Sequence, residues 1–397
     1  MAEWIEKSLG EIAEITKLAG FEFTKYIEYN NDGEVIALRA LNLRNGELDL
    51  TDIKRISRKV SDGLTRSKIY KDDILLTYTG NGYGDCAIIE ENDKYHLAPN
   101  ICKIVPNKNV ISPYYLYCYI RSKAFYNQMS NNMTGSGQPT IPMKTIRLLK
   151  IPVPELRVQV NIANMLWLLN QKIRNNKVIN NNLEQQAQAI FSNEFLTLKT
   201  LPDGWQQARL IDIADYLNGL AMQKYRPTVD ETGIPVLKIK ELRQGCCDDN
   251  SELCSQNIKS EYIIHNGDVI FSWSGSLLVD FWCGSICGLN QHLFKVTSNK
   301  YDKWFYYAWT KHHLNRFIAV AADKATTMGH IKRDELSKAE VLIPNEADYK
   351  RIGALLQPIY DLIIANRIEN KKLAETRDTL LPKLMSGGID ISEVERE

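Results

Sequence analysis

The stretch from Ile162 to Ile190, IANMLWLLNQKIRNNKVINNNLEQQAQAI, decides how the chain is built. Ile162, Leu166, Leu169, Ile173, Asn176, Asn180, Leu183, Ala187 and Ile190 step by alternating four and three, the period of a helix that turns one face to another helix. Ile352, Leu356, Ile359, Ile363, Asn366, Asn370, Leu373, Arg377 and Leu380 repeat that stripe 190 residues later, with asparagines at the same two steps. One such stripe would suit the core helix of any domain. Two matched copies predict two long helices packed on each other. Related by a pseudo-two-fold axis, they run antiparallel, Asn176 faces Asn370 and Asn180 faces Asn366. Those pairs would fix register, because a buried asparagine opposite leucine loses its hydrogen bonds. Pro358, aligned with Leu168, predicts a kink or restart in the second helix.

The repetition extends outward from the helices. Trp4 and Leu9–Ala13 recur as Trp205 and Leu210–Ala214 at an offset of 201. Leu43-Arg44-Asn45-Gly46 recurs as Leu242-Arg243-Gln244-Gly245 at 199, and Asp73–Gly80 as Asp268–Gly275 at 195. By Ile141/Ile331 and Pro154/Pro344 the offset has settled at 190, so the loops of the two copies differ in length early in each half. Short β-branched and aromatic runs such as Ile74–Thr79, Val269–Trp273 and Leu293–Thr297, set between Gly, Asn and Asp turns, predict strands. Tyr114–Tyr126 and Lys303–Phe317 predict helices. The expected architecture is α+β: two α/β domains joined by two long antiparallel coiled-coil helices in a pseudo-two-fold repeat. Its divisions are 1–152 and 199–344 for the domains, with helical spacers at 153–198 and 345–397. A helix of about 35 residues is about 50 Å long, a length suited to holding two domains over separate sites on one duplex.

The 397 residues carry a net charge of +1, with 44% hydrophobic and 24% charged residues, which excludes a polycation and a disordered chain. Affinity for nucleic acid would have to come from local clusters. Eight scattered cysteines, no signal-peptide pattern in Met1–Lys7 and no apolar run near 20 residues predict a cytoplasmic protein without a membrane span. Cys246, Cys247, Cys254, Cys283 and Cys287 lack paired zinc spacing, and His312 and His313 are adjacent and face different directions, so no metal site is expected. The chain contains no Pro-Pro pair, which an adenine methyltransferase motif needs, and no Gly-Lys dipeptide for a phosphate-binding loop.

The tail Leu381-Pro382-Lys383-Leu384-Met385-Ser386-Gly387-Gly388-Ile389-Asp390-Ile391 and the domain opening Leu201-Pro202-Asp203-Gly204-Trp205 carry a family likeness. With the motifs ending in Thr79-Gly80 and Ser274-Gly275, the prolines before each helix and the half-chain repeat, the whole chain resembles type I restriction–modification specificity subunits. The resemblance implies two target-recognition domains, each reading one half of a bipartite double-stranded DNA sequence. It implies helices that act as spacer and docking surface for two methyltransferase subunits, with motor-nuclease subunits added for restriction. It also implies no catalysis and no cofactor in this chain, S-adenosylmethionine, ATP and Mg belonging to the partners. Two other readings stand beside it: a stand-alone DNA-modifying enzyme, and a scaffold that binds proteins instead of DNA.

Reading a duplex takes cations for phosphates, and amides, guanidiniums or hydroxyls for base edges. Thr77, Tyr78, Thr79, Asn81 and Tyr83 occupy a glycine-rich loop after a predicted strand, matched by Ser272, Trp273 and Ser274 in the second half. Ser136 and Gln138 lie in a second loop, matched by Lys324, Thr326, Thr327 and His330, and Gln138 has the amide that suits adenine. Asn290, Gln291 and His292 form a third candidate group. The plainer reading of all three is a turn. Arg39, Arg44, Lys238, Lys240 and Arg243 recur near one predicted strand in each half and are phosphate candidates if they share a face. Tyr114–Tyr119 and Trp304–Trp309 read as core, not as stacking platforms.

Overall fold

A computed structural model describes residues 4–80, 82–135, 138–323, 331, 333–389 and 391. The chain divides into two compact units, Met1–Gln171 with Glu375–Glu397, and Lys172–Ala374.

In the first unit, Ile5–Ser8 pairs antiparallel with Lys150–Val153, bringing together the two ends of the α/β domain. The main sheet is antiparallel in the order Ala13–Lys17, Ile101–Pro106, Ile74–Thr77, Cys86–Ile88. A second, mixed sheet runs Lys54–Ile56, Val35–Leu38, Tyr95–Leu97, Lys68–Ile69, with its two central strands parallel. Successive strand residues point to opposite faces, and here both faces are covered. Ile74 and Leu76 pack with Tyr115 and Phe125 under the helices, while Leu75 packs with Leu38 and Leu97 under the second sheet. That two-sided burial is why the strand reads as a continuous apolar run.

The second unit repeats these three sheets. Gln206–Arg209 pairs with Glu340–Ile343. The main sheet runs Asp215–Asn218, Leu293–Thr297, Val269–Ser272, Leu278–Phe281. The second sheet runs Leu253–Cys254, Ile234–Leu237, Cys287–Leu289, Ile263–Ile264, again with a parallel central pair. Trp304, Phe305, Tyr306, Tyr307 and Trp309 are buried, as are Tyr115, Tyr117 and Tyr119 in the first domain, so both aromatic helices are core. Each such side chain contributes roughly 1.5–3 kcal/mol by burial.

The long helices are Leu156–Phe191 and Glu346–Met385. In the second unit Asn176 Nδ2 donates to Asn370 Oδ1 at 2.9 Å and Asn366 Nδ2 donates to Asn180 Oδ1 at 2.9 Å. Numbers rise on one helix as they fall on the other, so the pair is antiparallel. Asn176 also donates to Glu369 Oε2 at 2.6 Å, and Asn180 to the Ile363 carbonyl at 3.2 Å. In the first unit Arg377 breaks the apolar stripe and donates to Asn170 Oδ1 at 3.0 Å; the corresponding residues of the second unit are Ala187 and Tyr360, both in its core. The restart expected at Pro358 does not occur, because the helix continues unbroken to Met385. Pro358 and Ala354 are both exposed, so water can take the place of the missing N–H at the Ala354 carbonyl. The tail folds back into the first unit, where Leu384, Met385 and Ile391 join the core. Gly387 is required there: its φ is +72° and a Cβ would meet Trp4 Nε1 at 2.7 Å.

Candidate nucleic-acid interface

In each domain the repeated strand motif ends in the same backbone clasp. The Tyr78 carbonyl accepts from Ile141 N–H at 3.0 Å, and the Trp273 carbonyl accepts from Ile331 N–H at 3.1 Å. In the first domain this clasp lays two candidate loops side by side. Thr79 bridges to Thr140, and Gly80 N–H donates to the Pro139 carbonyl at 2.9 Å. Gln138 is exposed at the junction, its carbonyl accepting from Thr140 Oγ1 at 3.3 Å. Tyr83 accepts from the Tyr126 hydroxyl at 2.7 Å, with the rings stacked 5.3 Å apart.

In the second domain Asn290, Gln291 and His292 gather beside Trp273 and Ser274. Ser274 Oγ lies 3.1 Å from His292 Nδ1, and Gln291 Nε2 lies 3.4 Å from His292 Nε2. Asn290 Oδ1 accepts from His292 N–H at 3.2 Å. Trp273 Nε1 donates to Asn218 Oδ1 at 3.0 Å. Gly219 makes this approach possible, since a Cβ there would sit 2.3 Å from the Asn290 carbonyl oxygen.

Some candidates change role. Thr77 and Ser272 are fully buried at their strand ends, and Ser272 Oγ donates to the Ser276 carbonyl at 2.9 Å. Neither side chain reaches a duplex, and both are corrected to structural residues. Tyr78 has its ring largely buried. Asn81, Ser136, Lys324, Thr326, Thr327 and His330 lie outside the described residues.

The basic candidates do not share one strand. Arg39 follows the strand Val35–Leu38, Arg44 is in the short strand Leu43–Arg44, and Lys240 and Arg243 are on the helix Ile239–Gln244, with Lys238 at its start. Four carry a counter-ion of their own: Arg39 with Asp52 at 3.0 Å, Arg44 with Asp49 at 3.7 Å, Lys238 with Glu252 at 2.5 Å and Lys240 with Asp248 at 3.1 Å. Lys240 and Gln244 hold the Asp248 carboxyl below its usual range. Exposed pairs of this kind contribute at most about 1 kcal/mol, so exchanging a carboxylate for a phosphate costs little. Arg243 is exposed and makes no ion pair with a described residue.

Sequence reasoning passed over three residues at these edges: Lys17, whose Nζ lies 5.3 Å from the Tyr78 ring centroid, Asn218 and Tyr126. A close signal was available only for Lys17 and Asn218, which stand at the 201 offset of the first repeated motif. Burial pushes the Cys86, Cys102 and Cys118 thiols up to about 12. Among the described residues no three His, Cys, Asp or Glu side chains are grouped to hold a metal, and no helix is long and apolar enough to cross a membrane.

A family model for the type I restriction modification DNA specificity domain matches residues 1–185 and again residues 202–375. The chain belongs to that family. It is 26% identical over 316 residues to the type I restriction enzyme MjaIX specificity subunit of Methanocaldococcus jannaschii, covering 73% of this chain and 72% of the relative. It is 20% identical to the HindI specificity subunit of Haemophilus influenzae across 98% of this chain and 100% of that one. Its fold is that of a type I restriction–modification S subunit from M. genitalium, at 13% identity and a TM-score of 0.61, with 96% of each chain covered. As a specificity subunit it supplies DNA-sequence specificity and no catalysis.

Proposed function

We propose that each recognition domain reads one half of a bipartite duplex target through the clasped edge described above, and that the long helices dock two methyltransferase subunits. The observation that carries the reading is the repeated clasp at Tyr78–Ile141 and Trp273–Ile331, one backbone frame surrounded by different side chains in the two domains. Sequence reading needs that combination: a rigid frame and exchangeable donors and acceptors. Docking is supported by apolar side chains left exposed on the helices, Trp167, Leu168, Val178 and Ile179 on the first, Leu355 and Leu362 on the second. Large apolar side chains left in water on a helix suit burial by a partner. In the second unit a cavity of about 650 Å³ beside the first helix, walled by Glu184, Gln188, Phe191, Lys311, His312 and Tyr360, adds a recess for a partner side chain. S-adenosylmethionine, ATP and Mg are assigned to the methyltransferase and motor-nuclease partners, and the assembly works in the cytoplasm.

Replacing residues 1–152 with the corresponding domain of a relative is expected to change one half of the methylated sequence and leave the other intact. If both halves changed, the one-domain, one-half-site reading would be lost. The purified chain alone is expected to transfer no methyl group, with activity appearing only when a methyltransferase partner is added.

A further inference from the structure

We infer that Lys17 and Asn218 are one and the same contact position in the two recognition domains, each presenting N–H donors to acceptor atoms of DNA. The inference rests on the specificity-subunit reading and names residues within it. Both residues end the first strand of the main sheet, Lys17 opposite Cys102 and Asn218 opposite Phe294. Both are exposed, and the flanking residues alternate identically between buried and exposed. Each meets the aromatic residue of the repeated motif, Tyr78 or Trp273. Lys17 places its ammonium 5.3 Å from the Tyr78 centroid, and Asn218 accepts the Trp273 indole N–H at 3.0 Å.

The consequence is chemical. Lys17 has donors only, and it makes no ion pair with a described residue, unlike Arg39, Arg44, Lys238 and Lys240. Asn218 has its oxygen turned to the indole, which leaves the amide nitrogen and its two N–H groups outward. Both domains therefore offer uncompensated donors at the same point of the frame, beside the Thr79–Thr140 junction in one and beside Ser274 and His292 in the other. A duplex answers such donors with phosphate oxygens or with purine N7 and O6 in the major groove. The aromatic ring beneath holds each donor in place, which reduces the side-chain entropy lost on binding.

The test uses the full chain assembled with its methyltransferase partners, with DNA affinity measured over a range of salt and the methylated sequence mapped. Lys17→Met removes the charge and keeps a stem over Tyr78; Asn218→Asp keeps the acceptor for Trp273 and removes the donors. Each is expected to weaken binding about tenfold or more with an unchanged thermal midpoint, and Lys17→Arg is expected to stay within about twofold of the parent. A phosphate contact shows as a salt slope lower by about 0.9 for Lys17→Met with the sequence preference intact. A base contact shows as relaxed preference confined to one half-site, a different half for each residue. Unchanged affinity, slope and sequence in both variants, with the parent complex methylating a bipartite site, would overturn the inference alone. A parent complex that methylates no bipartite site would overturn the specificity reading beneath it.

Discussion

The two recognition domains agree down to single hydrogen bonds in their interior and part company at their edges. In the first, Lys103 Nζ donates to the Lys68 carbonyl at 2.6 Å and faces Asp73 at 4.0 Å. In the second, Lys295 Nζ donates to the Ile263 carbonyl at 3.1 Å and faces Asp268 at 2.9 Å. Each lysine ties the main sheet to the same edge strand of the second sheet. Around Tyr78 and Trp273 the partners are unrelated: a lysine and threonines in one case, asparagine, serine, glutamine and histidine in the other. The difference teaches that side chains are free to differ where the backbone is already held by other bonds, which is what the proposed recognition edges require.

The shared lysine–aspartate pair is also where the two frames are expected to differ most in strength. The Asp73 and Lys103 side chains are only 5% and 8% exposed, against 23% and 14% for Asp268 and Lys295. Burial pushes the Asp73 carboxyl up and the Lys103 ammonium down, so each needs the other in place of water. Asp73→Ala strands a buried lysine and is expected to cost about 3–5 kcal/mol. Asp268→Ala is expected to cost about half of that. Denaturant unfolding of both variants decides it, and equal losses would show that the two frames bear equal load.

A second contrast is an imidazole in one domain where the other uses an amide. His313 is buried in the second domain with Nε2 2.7 Å from the Glu340 carbonyl, while in the first domain the matching Lys150 carbonyl accepts from Gln128 Nε2 at 3.0 Å. Burial lowers the His313 imidazole to about 4. The unfolded chain therefore binds more protons than the folded one between about pH 6.5 and 4. Stability contributed by the neutral ring is complete above that window and lost as pH falls through it, by about 3 kcal/mol at most. Amide exchange at pH 7 and pH 4.5 should show the second domain loosening at the lower pH, and His313→Gln should flatten that response. A response unaffected by the substitution would place the acid sensitivity elsewhere, His96 of the first domain being another imidazole that burial lowers.

The helix pair was legible in the sequence because a stripe of period 3.5, doubled at a constant offset of 190, leaves one arrangement that buries both copies. The edges were not. Lys17 and Asn218 keep the 201 offset of the Leu9–Ala13 repeat, but a lysine and an asparagine share nothing that marks them as one position, and only the fold sets each against its aromatic neighbour. Ser272 and Thr77 looked like loop hydroxyls because a strand end and a loop start share the same residue types; burial separates them. The cations near Arg39 and Lys238 were visible as a group, but their carboxylate partners come from turns such as Asp49, Asp52, Asp248 and Glu252, which no local spacing ties to them.

The helices offer a further comparison, since both asparagine layers belong to the second unit while the first unit uses Arg377 and Asn170. Asn366→Leu removes the donor to the buried Asn180 oxygen and is expected to cost about 2 kcal/mol. The double substitution Asn180→Leu with Asn366→Leu replaces both partners and is expected to recover most of that loss, while weakening the preference for this register. A double-mutant cycle measures the coupling directly. Additive losses would show that the two amides act independently.

The smallest expected effect separates the two glutamines offered at the edges. Gln138 is exposed, with only its backbone carbonyl engaged, so binding must first fix its side chain. Gln291 already has its amide nitrogen against His292, which is itself held by Ser274 and Asn290. Immobilising a free side chain costs about 0.5–1.5 kcal/mol, so a contact made by Gln291 should yield more net affinity than the same contact made by Gln138. Gln291→Ala is expected to weaken binding of the assembled complex about tenfold and Gln138→Ala about threefold, each on its own half-site. His292→Ala should bring the Gln291 contribution down to the level of Gln138. If Gln138→Ala proved the costlier change, the order of the two edges would be reversed and preorganisation by His292 would have no part in the second domain's recognition.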